Sequence, residues 1–487
     1  MSALPTPARE VPATRTPPVI RWLVLATFIV ILNETVMINA IPRLMADLDI
    51  TARSAQWLST AFMLTMAAVI PTTGWFLQRV TTRTAYATAM SVFATGTLLA
   101  TLAPTFEVLL VARIVQAGGT AIMMPLLMTT LMTVVPEHDR GRVMGNVTLA
   151  ISVAPALGPA VSGVLLQLGS WRLIFAVVLP IALAVMLLGM RRLENVGEPQ
   201  PGSIDWTSVA LAASGFGGLV FGLSQFGAGD LGTPLLIVGF GLAAIVTFVV
   251  RQLRLQRDGT PLLDLRTLTH AIYRRSVLLM SVAFMAMLGS MILLPLYLQD
   301  LRGLSPLETG LLVMPGGLAM GLLGPRVGRI FDRLGGRPLV VPGSIGIMVS
   351  LLVMTQISLT TPYAVLLGAH MLLMVSLAGL FTPVFTLGLG AVPMHLYSHA
   401  SSLLGTLQQV AAALGTALVV TVMSSRAAQL ATAGAGEAEA MLGGLRWAFW
   451  IGAGLSVAVV ILAVRLPGRL PTAVAEPEPE PCEDLAA

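Results

Sequence analysis

Gly74-Trp-Phe-Leu-Gln78-Arg79-Val-Thr-Thr-Arg83 joins two apolar runs, and its pattern returns 254 residues later as Gly328-Arg-Ile-Phe-Asp332-Arg333-Leu-Gly-Gly-Arg337. Each copy follows a run long enough to cross a hydrocarbon core of about 30 Å at about 1.5 Å per residue. One basic loop recurring eight spans later predicts a duplicated membrane unit.

Outward from these loops, apolar runs bounded by Pro, Gly or charge give fourteen spans, near 21–41, 55–77, 84–103, 107–132, 143–166, 171–190, 206–226, 232–251, 274–298, 308–330, 338–356, 361–389, 401–424 and 446–465. The 487 residues are 56% hydrophobic and 10% charged, with a mean hydropathy of +0.86, too little polar surface to cover a soluble globule. The expected architecture is an all-α polytopic membrane protein in a 6+2+6 arrangement. It comprises a disordered tail at 1–20, a six-helix bundle at 21–192, an inserted helix pair with its linkers at 193–273, a second six-helix bundle at 274–465 and a disordered tail at 466–487.

All 28 basic residues are arginine. An even number of spans puts both termini on one side, and with that side inside, 21 arginines fall in inner segments and 6 in outer ones. The positive-inside rule therefore predicts cytoplasmic termini. The formal charge of +5 serves topology, and no nucleic-acid partner is expected. The single cysteine, Cys482, lies in a Pro/Glu-rich tail, so neither a disulfide framework nor a thiolate metal site is expected. The first twenty residues hold no apolar signal-peptide core, which leaves insertion to the first span.

The first span carries Asn33, Glu34, Thr35 and Asn39 in its outer half. An acid inside the membrane is expensive and marks a functional site, the alternative being an internal hydrogen bond or snorkelling. In the fourth span Arg113, Gln116 and Thr120 share a helix face. Counted along the helical rise, Glu34 is roughly 12 Å and Arg113 roughly 9 Å from the outer end. The two are expected to face one water-accessible cavity, paired directly or through Gln116 and water, where a change of access can switch protonation. The fifth span holds Ala154-Pro-Ala-Leu-Gly158-Pro159-Ala-Val-Ser-Gly163, whose prolines remove backbone donors and whose small residues admit a neighbouring helix. His370 in the twelfth span is either a second protonatable group or a hydrogen-bonded structural histidine. Met123 and Met124 either line an adaptable pocket or pack between helices. His395 and His399 lack a third ligand, and no metal site is expected.

These motifs resemble the major facilitator superfamily: the paired loops its loop motif, Arg113-Ile-Val-Gln116-Ala-Gly-Gly119 its fourth-helix motif, and Ala154 to Gly163 its antiporter motif. Asp205-Trp206, Pro261-Leu-Leu-Asp264-Leu-Arg266, Gly303-Leu-Ser-Pro-Leu-Glu-Thr-Gly310 and Gln408-Gln409-Val-Ala-Ala-Ala-Leu-Gly415 are similar to the fourteen-helix drug:proton antiporters of EmrB/QacA type. Ile31 to Thr35, Ala55 to Leu58 and Thr81 to Arg83 resemble the lincomycin-resistance branch most closely. The resemblance covers about residues 21–465.

It implies a monomer in the bacterial cytoplasmic membrane, with no cofactor beyond protons as the coupling ion, whose partners are the lipid bilayer and small amphipathic substrates. Glu34 and Arg113, by their own placement within the spans and not by the resemblance, would carry proton coupling. Asn33, Gln116, Thr120, Met123, Met124, His370, Gln408 and Gln409 would line the substrate cavity. Gly74, Gln78, Arg79, Arg83, Gly158, Pro159, Gly163, Asp332, Arg333 and Arg337 would serve gating, with the loop acid and arginines tethering the two halves. Two departures stand out. Gln78 occupies the position of the usual first-half acid, and the wider family's Leu-Asp-x-Thr places its acid at Asn33, one residue before Glu34.

The expected function is proton-coupled efflux of lipophilic compounds, lincosamide-like antibiotics among them. The rivals are a dedicated exporter of one metabolite, siderophore or lipid, a nutrient importer, and a polytopic enzyme or sensor. No clustered nucleophile or nucleotide loop supports an enzyme.

Overall fold

The computed structural model describes residues 16–37, 40–226, 232–257 and 261–469. Fifteen α-helices occupy them: α1 (Pro18–Val36), α2 (Ile41–Leu48), α3 (Ala52–Arg79), α4 (Thr82–Leu102), α5 (Phe106–Val134), α6 (Arg140–Leu168), α7 (Arg172–Arg192), α8 (Trp206–Ser224), α9 (Gly232–Leu255), α10 (Ala271–Leu296), α11 (Pro306–Leu334), α12 (Arg337–Met354), α13 (Tyr363–Gly390), α14 (Tyr397–Thr432) and α15 (Glu437–Val464). Fourteen are long and apolar enough to span a bilayer; α2, with eight residues, is not.

Helices are the expected solution, because in hydrocarbon each backbone polar group must be satisfied within its own segment. Their starts are set locally. Thr51 and Thr81 accept from the N–H groups of Ser54 and Thr84, and Ser305 forms a reciprocal capping box with Glu308.

The span expected over 21–41 is shorter. α1 ends at Val36, and Thr35 turns its hydroxyl back onto the carbonyls of Ile31 and Leu32 in the last turns. Glu34 therefore sits two residues from the helix end and not eight residues inside the outer boundary. Asn39 and Cys482 lie outside the described residues.

α1 and α3–α7 pack among themselves, as do α10–α15, and the two groups meet where α6 lies against α11 and α3 against α14. α8 and α9 pack on each other, with α8 also touching α3 and α14. Thr16 bonds Asn146 near the start of α6, and Gly468 accepts from the N–H of Gly336, so the first and last described segments reach the end of the bundle where α11 meets α6.

Small residues set the α6–α11 contact. Gly141 opposes Gly328, Gly145 opposes Gly324, Leu149 and Val153 oppose Gly321, and Ala156 opposes Gly317. A side chain at Gly324 would place its Cβ 2.6 Å from the Gly145 carbonyl oxygen. With no hydrophobic driving force between helices in lipid, such backbone proximity is what holds them.

Candidate functional site

Arg113 is 1% exposed, and its guanidinium makes two contacts while Nε is buried without a hydrogen-bond partner. One amino nitrogen donates to Gln116 Oε1 at 3.0 Å, and Gln116 Nε2 donates in turn to Thr97 Oγ1 at 2.9 Å. The guanidinium carbon stands 4.2 Å from the centre of the Phe62 ring, a cation–π contact. Gly96 lets α4 reach the Gln116 backbone, since a Cβ there would come within 2.5 Å of that N–H nitrogen. Thr97 and Phe62 were not singled out from sequence; both lie on helices other than α5, and no local spacing marks them.

Glu34 is the charge that acts on Arg113 across the gap between α1 and α5, and Arg113 acts reciprocally on Glu34. No nitrogen–oxygen pair between them falls within 4.0 Å. Glu34 is partly exposed, whereas Asn33 is 0% exposed with both side-chain polar atoms lacking partners. The one-residue offset from the family pattern thus puts a neutral amide in the closed position. The acid takes the accessible one.

The other expected cavity residues scatter. Gln116, Thr120, Met123 and His370 are buried in helix contacts, Thr120 bonding the Gln116 carbonyl at 2.9 Å. Gln408 Nε2 is buried without a partner, while Met124 and Gln409 keep partial exposure. None of them lines the open grooves of about 420 Å³ between α3 and α8 or about 440 Å³ between α1 and α6. His399 lies in the first turn of α14, buried against Gly74. Among the described residues no three of His, Cys, Asp and Glu gather as a metal site.

Of the residues expected to serve gating, Asp332 and Gln78 join the two groups of helices at one end. Asp332 accepts from the backbone N–H groups of Gly141 at 2.8 Å and Arg142 at 2.7 Å, at the positive end of the α6 dipole. Gln78 Nε2 donates to the His395 carbonyl at 2.9 Å, so the first-half tether exists as a neutral hydrogen bond. Arg140 reaches the Tyr397 hydroxyl, and Thr148 pairs with Thr382. The arginines depart from the tether role. Arg83 bonds Met190 of its own half, Arg79 bonds Gln78, and Arg333 and Arg337 make no side-chain hydrogen bond across the interface. Backbone amides, already converging at the α6 terminus, take the place of arginine. Gly158 packs under Thr35 of α1, Gly163 faces Leu307 at 4.0 Å, and Pro159 lies within α6 with its side chain outside the described residues.

The inserted pair is fastened at the same end. Arg251 holds Asp205 at 2.7 and 2.9 Å and keeps its carboxyl well below the usual range, at about 2. Gln252 ties Ser208 to the backbone of Leu262 and Leu263.

Residues 23–416 match the model of the Major Facilitator Superfamily. The chain belongs to this superfamily. It is 37% identical over 459 residues to the uncharacterized MFS-type transporter YcnB of Bacillus subtilis, covering 94% of this chain and 96% of that one. It is 38% identical over 410 residues to the lincomycin resistance protein LmrB of Listeria monocytogenes, covering 84% and 86%. The human organic anion transporter MFSD10 shares the fold at a TM-score of 0.69 and 15% identity, over 92% of this chain and 100% of that one. This facilitator is therefore a transporter, a multi-pass protein of the cytoplasmic membrane, and the fourteen-helix major facilitator fold expected from sequence is the one observed.

Proposed function

We propose that the protein is a proton-coupled exporter of amphipathic compounds, working by alternating access with its termini in the cytoplasm. Relatives named for lincomycin and multidrug resistance support the substrate class. The observation that carries coupling is the partly exposed Glu34 acting on the buried Arg113 without touching it. An acid so placed can take a proton when its side of the cavity opens, which changes the net charge beside a fixed guanidinium. Among the described residues, the side-chain hydrogen bonds that cross between the halves, at Asp332, Gln78, Arg140, Thr148, Thr129 and Ser402, lie toward the end where Thr16 and Gly468 are found. This arrangement fits a conformer shut toward the cytoplasm.

The energetics suffice. One proton entering through about 100 mV supplies roughly 2.3 kcal/mol, and each tenfold gradient of a neutral substrate costs about 1.4 kcal/mol. A drug-susceptibility panel in a strain lacking other pumps tests the reading. Expression should raise tolerance to several unrelated lipophilic drugs and Glu34→Gln should abolish it; tolerance to one compound only would support a dedicated exporter instead.

A further inference from the structure

The 254-residue repeat extends from the loops into the helices. It carries Gln116 to His370 and Phe62 to Gly316. In the first half the α3–α5 contact holds Phe62 and the Arg113–Gln116 chain. Its counterpart between α11 and α13 holds His370 against Gly316. A Cβ at Gly316 would lie 2.5 Å from the ring Cδ2 and 2.8 Å from Nε2.

His370 is 4% exposed, seven residues into α13. The backbone carbonyl of Val313 acts on the ring as an acceptor, and Nε2 is buried with no partner. Among the described residues, no charged side chain acts on the ring from α6, α10, α11, α12 or α14, the helices packed on α13. A neutral imidazole tolerates this, donating once and leaving its acceptor idle. An imidazolium does not, because it carries two N–H donors and a charge that buried apolar surroundings leave uncompensated.

The segment facing the ring is already weakened. Pro315 removes one backbone donor from α11, followed by Gly316 and Gly317. On the far side of that turn, a Cβ at Gly317 would meet Ala156 of α6 at 2.7 Å. The turn is thus clamped between His370 and the α6 segment that contains Gly158.

We propose that His370 is a second proton-binding site, in the half of the molecule opposite Glu34, and that a proton on Nε2 is accommodated by α11 moving off α13 at Pro315–Gly317 so that water reaches the ring. The proton comes from, and returns to, the water that enters on this separation. Binding then shifts the population toward the separated conformer. This extends the antiport reading, yet its test needs neither a substrate nor Glu34.

Spin labels on Leu168→Cys and Leu311→Cys, exposed on α6 and α11, are introduced with Cys482→Ser and Glu34→Gln, and distances are measured in lipid nanodiscs at about pH 8 and about pH 5, which bracket the ordinary histidine titration. The distance distribution is expected to change on acidification when His370 is present and to stay at its alkaline form in His370→Gln. Gly316→Ala, whose methyl displaces the ring at any pH, is expected to give the acid-type distribution at both. A pH response unchanged by His370→Gln overturns the proposal. Nitrogen-15 NMR of labelled histidines in the otherwise native protein decides independently of whether any variant folds: titration of the His370 ring across that range supports the site, and a ring that stays neutral throughout overturns it.

Discussion

Asp332 at the end of α11 accepts a hydrogen bond from the backbone N–H of Gly141, the second residue of α6, at 2.8 Å. A carboxylate has acceptors for both converging amides, whereas an asparagine side chain turns a donor toward one of them. Charge-assisted bonds of this kind contribute about 1.5–3 kcal/mol. Asp332→Asn is expected to raise the population open at this end by roughly tenfold or more, since about 1.4 kcal/mol is a factor of ten. Pulsed electron paramagnetic resonance between labels at the joined ends of α6 and α11 measures it.

Gly324 sets a steric condition at the same seam. The atom nearest a new Cβ is a backbone oxygen of Gly145, which has no rotamer to swing away. Gly324→Val should abolish transport while the protein still reaches the membrane. Gly239→Val on α9, where nothing lies within 4 Å, should transport normally in the same efflux assay.

Gln116 accepts from Arg113 and donates to Thr97, whose hydroxyl also donates to the Phe93 carbonyl, so its loss strands the charged Arg113 amino group alone. Gln116→Leu should cost about 3 kcal/mol or more, because the stranded donor is charged, and Thr97→Val, which strands only the neutral amide nitrogen of Gln116, about 1–3 kcal/mol. Thermal unfolding in detergent should rank the two in that order.

Asp205 gives a pH signature outside the membrane. The hydrogen bond from Arg251 is the largest cause of its depressed value of about 2. A depressed acid stabilises fully above its ordinary value near about 3.9, and that contribution fades as pH falls toward the folded value. Protection of backbone amides at the start of α8, with exchange corrected for its intrinsic pH dependence, should therefore be unchanged between about pH 7 and 5 in the native protein. Arg251→Leu should make that exchange faster across the same interval.

The fold was legible because hydropathy and the Gly74–Arg83 repeat are properties of contiguous chain. The same contiguous pattern singles out Asp332, while its partners, the α6 amides of Gly141 and Arg142, lie far along the chain. What was not legible depends on partners distant along the chain. Arg83 turns to Met190 in its own half, and Arg113 is fixed by Phe62 and Thr97 from two other helices. The end of α1 at Val36 was also hidden, because the apolar run continues through Ile41 and neither a Gly nor a Pro intervenes before Pro42.

The central claim is that Glu34 carries the coupled proton beside Arg113. Ethidium accumulation in inverted membrane vesicles, driven by an imposed pH gradient, tests it most directly. The native protein should accumulate dye and discharge the gradient in step, while Glu34→Gln should retain dye exchange at equilibrium and lose accumulation. Gradient-driven accumulation by Glu34→Gln with an unchanged pH profile would contradict the account.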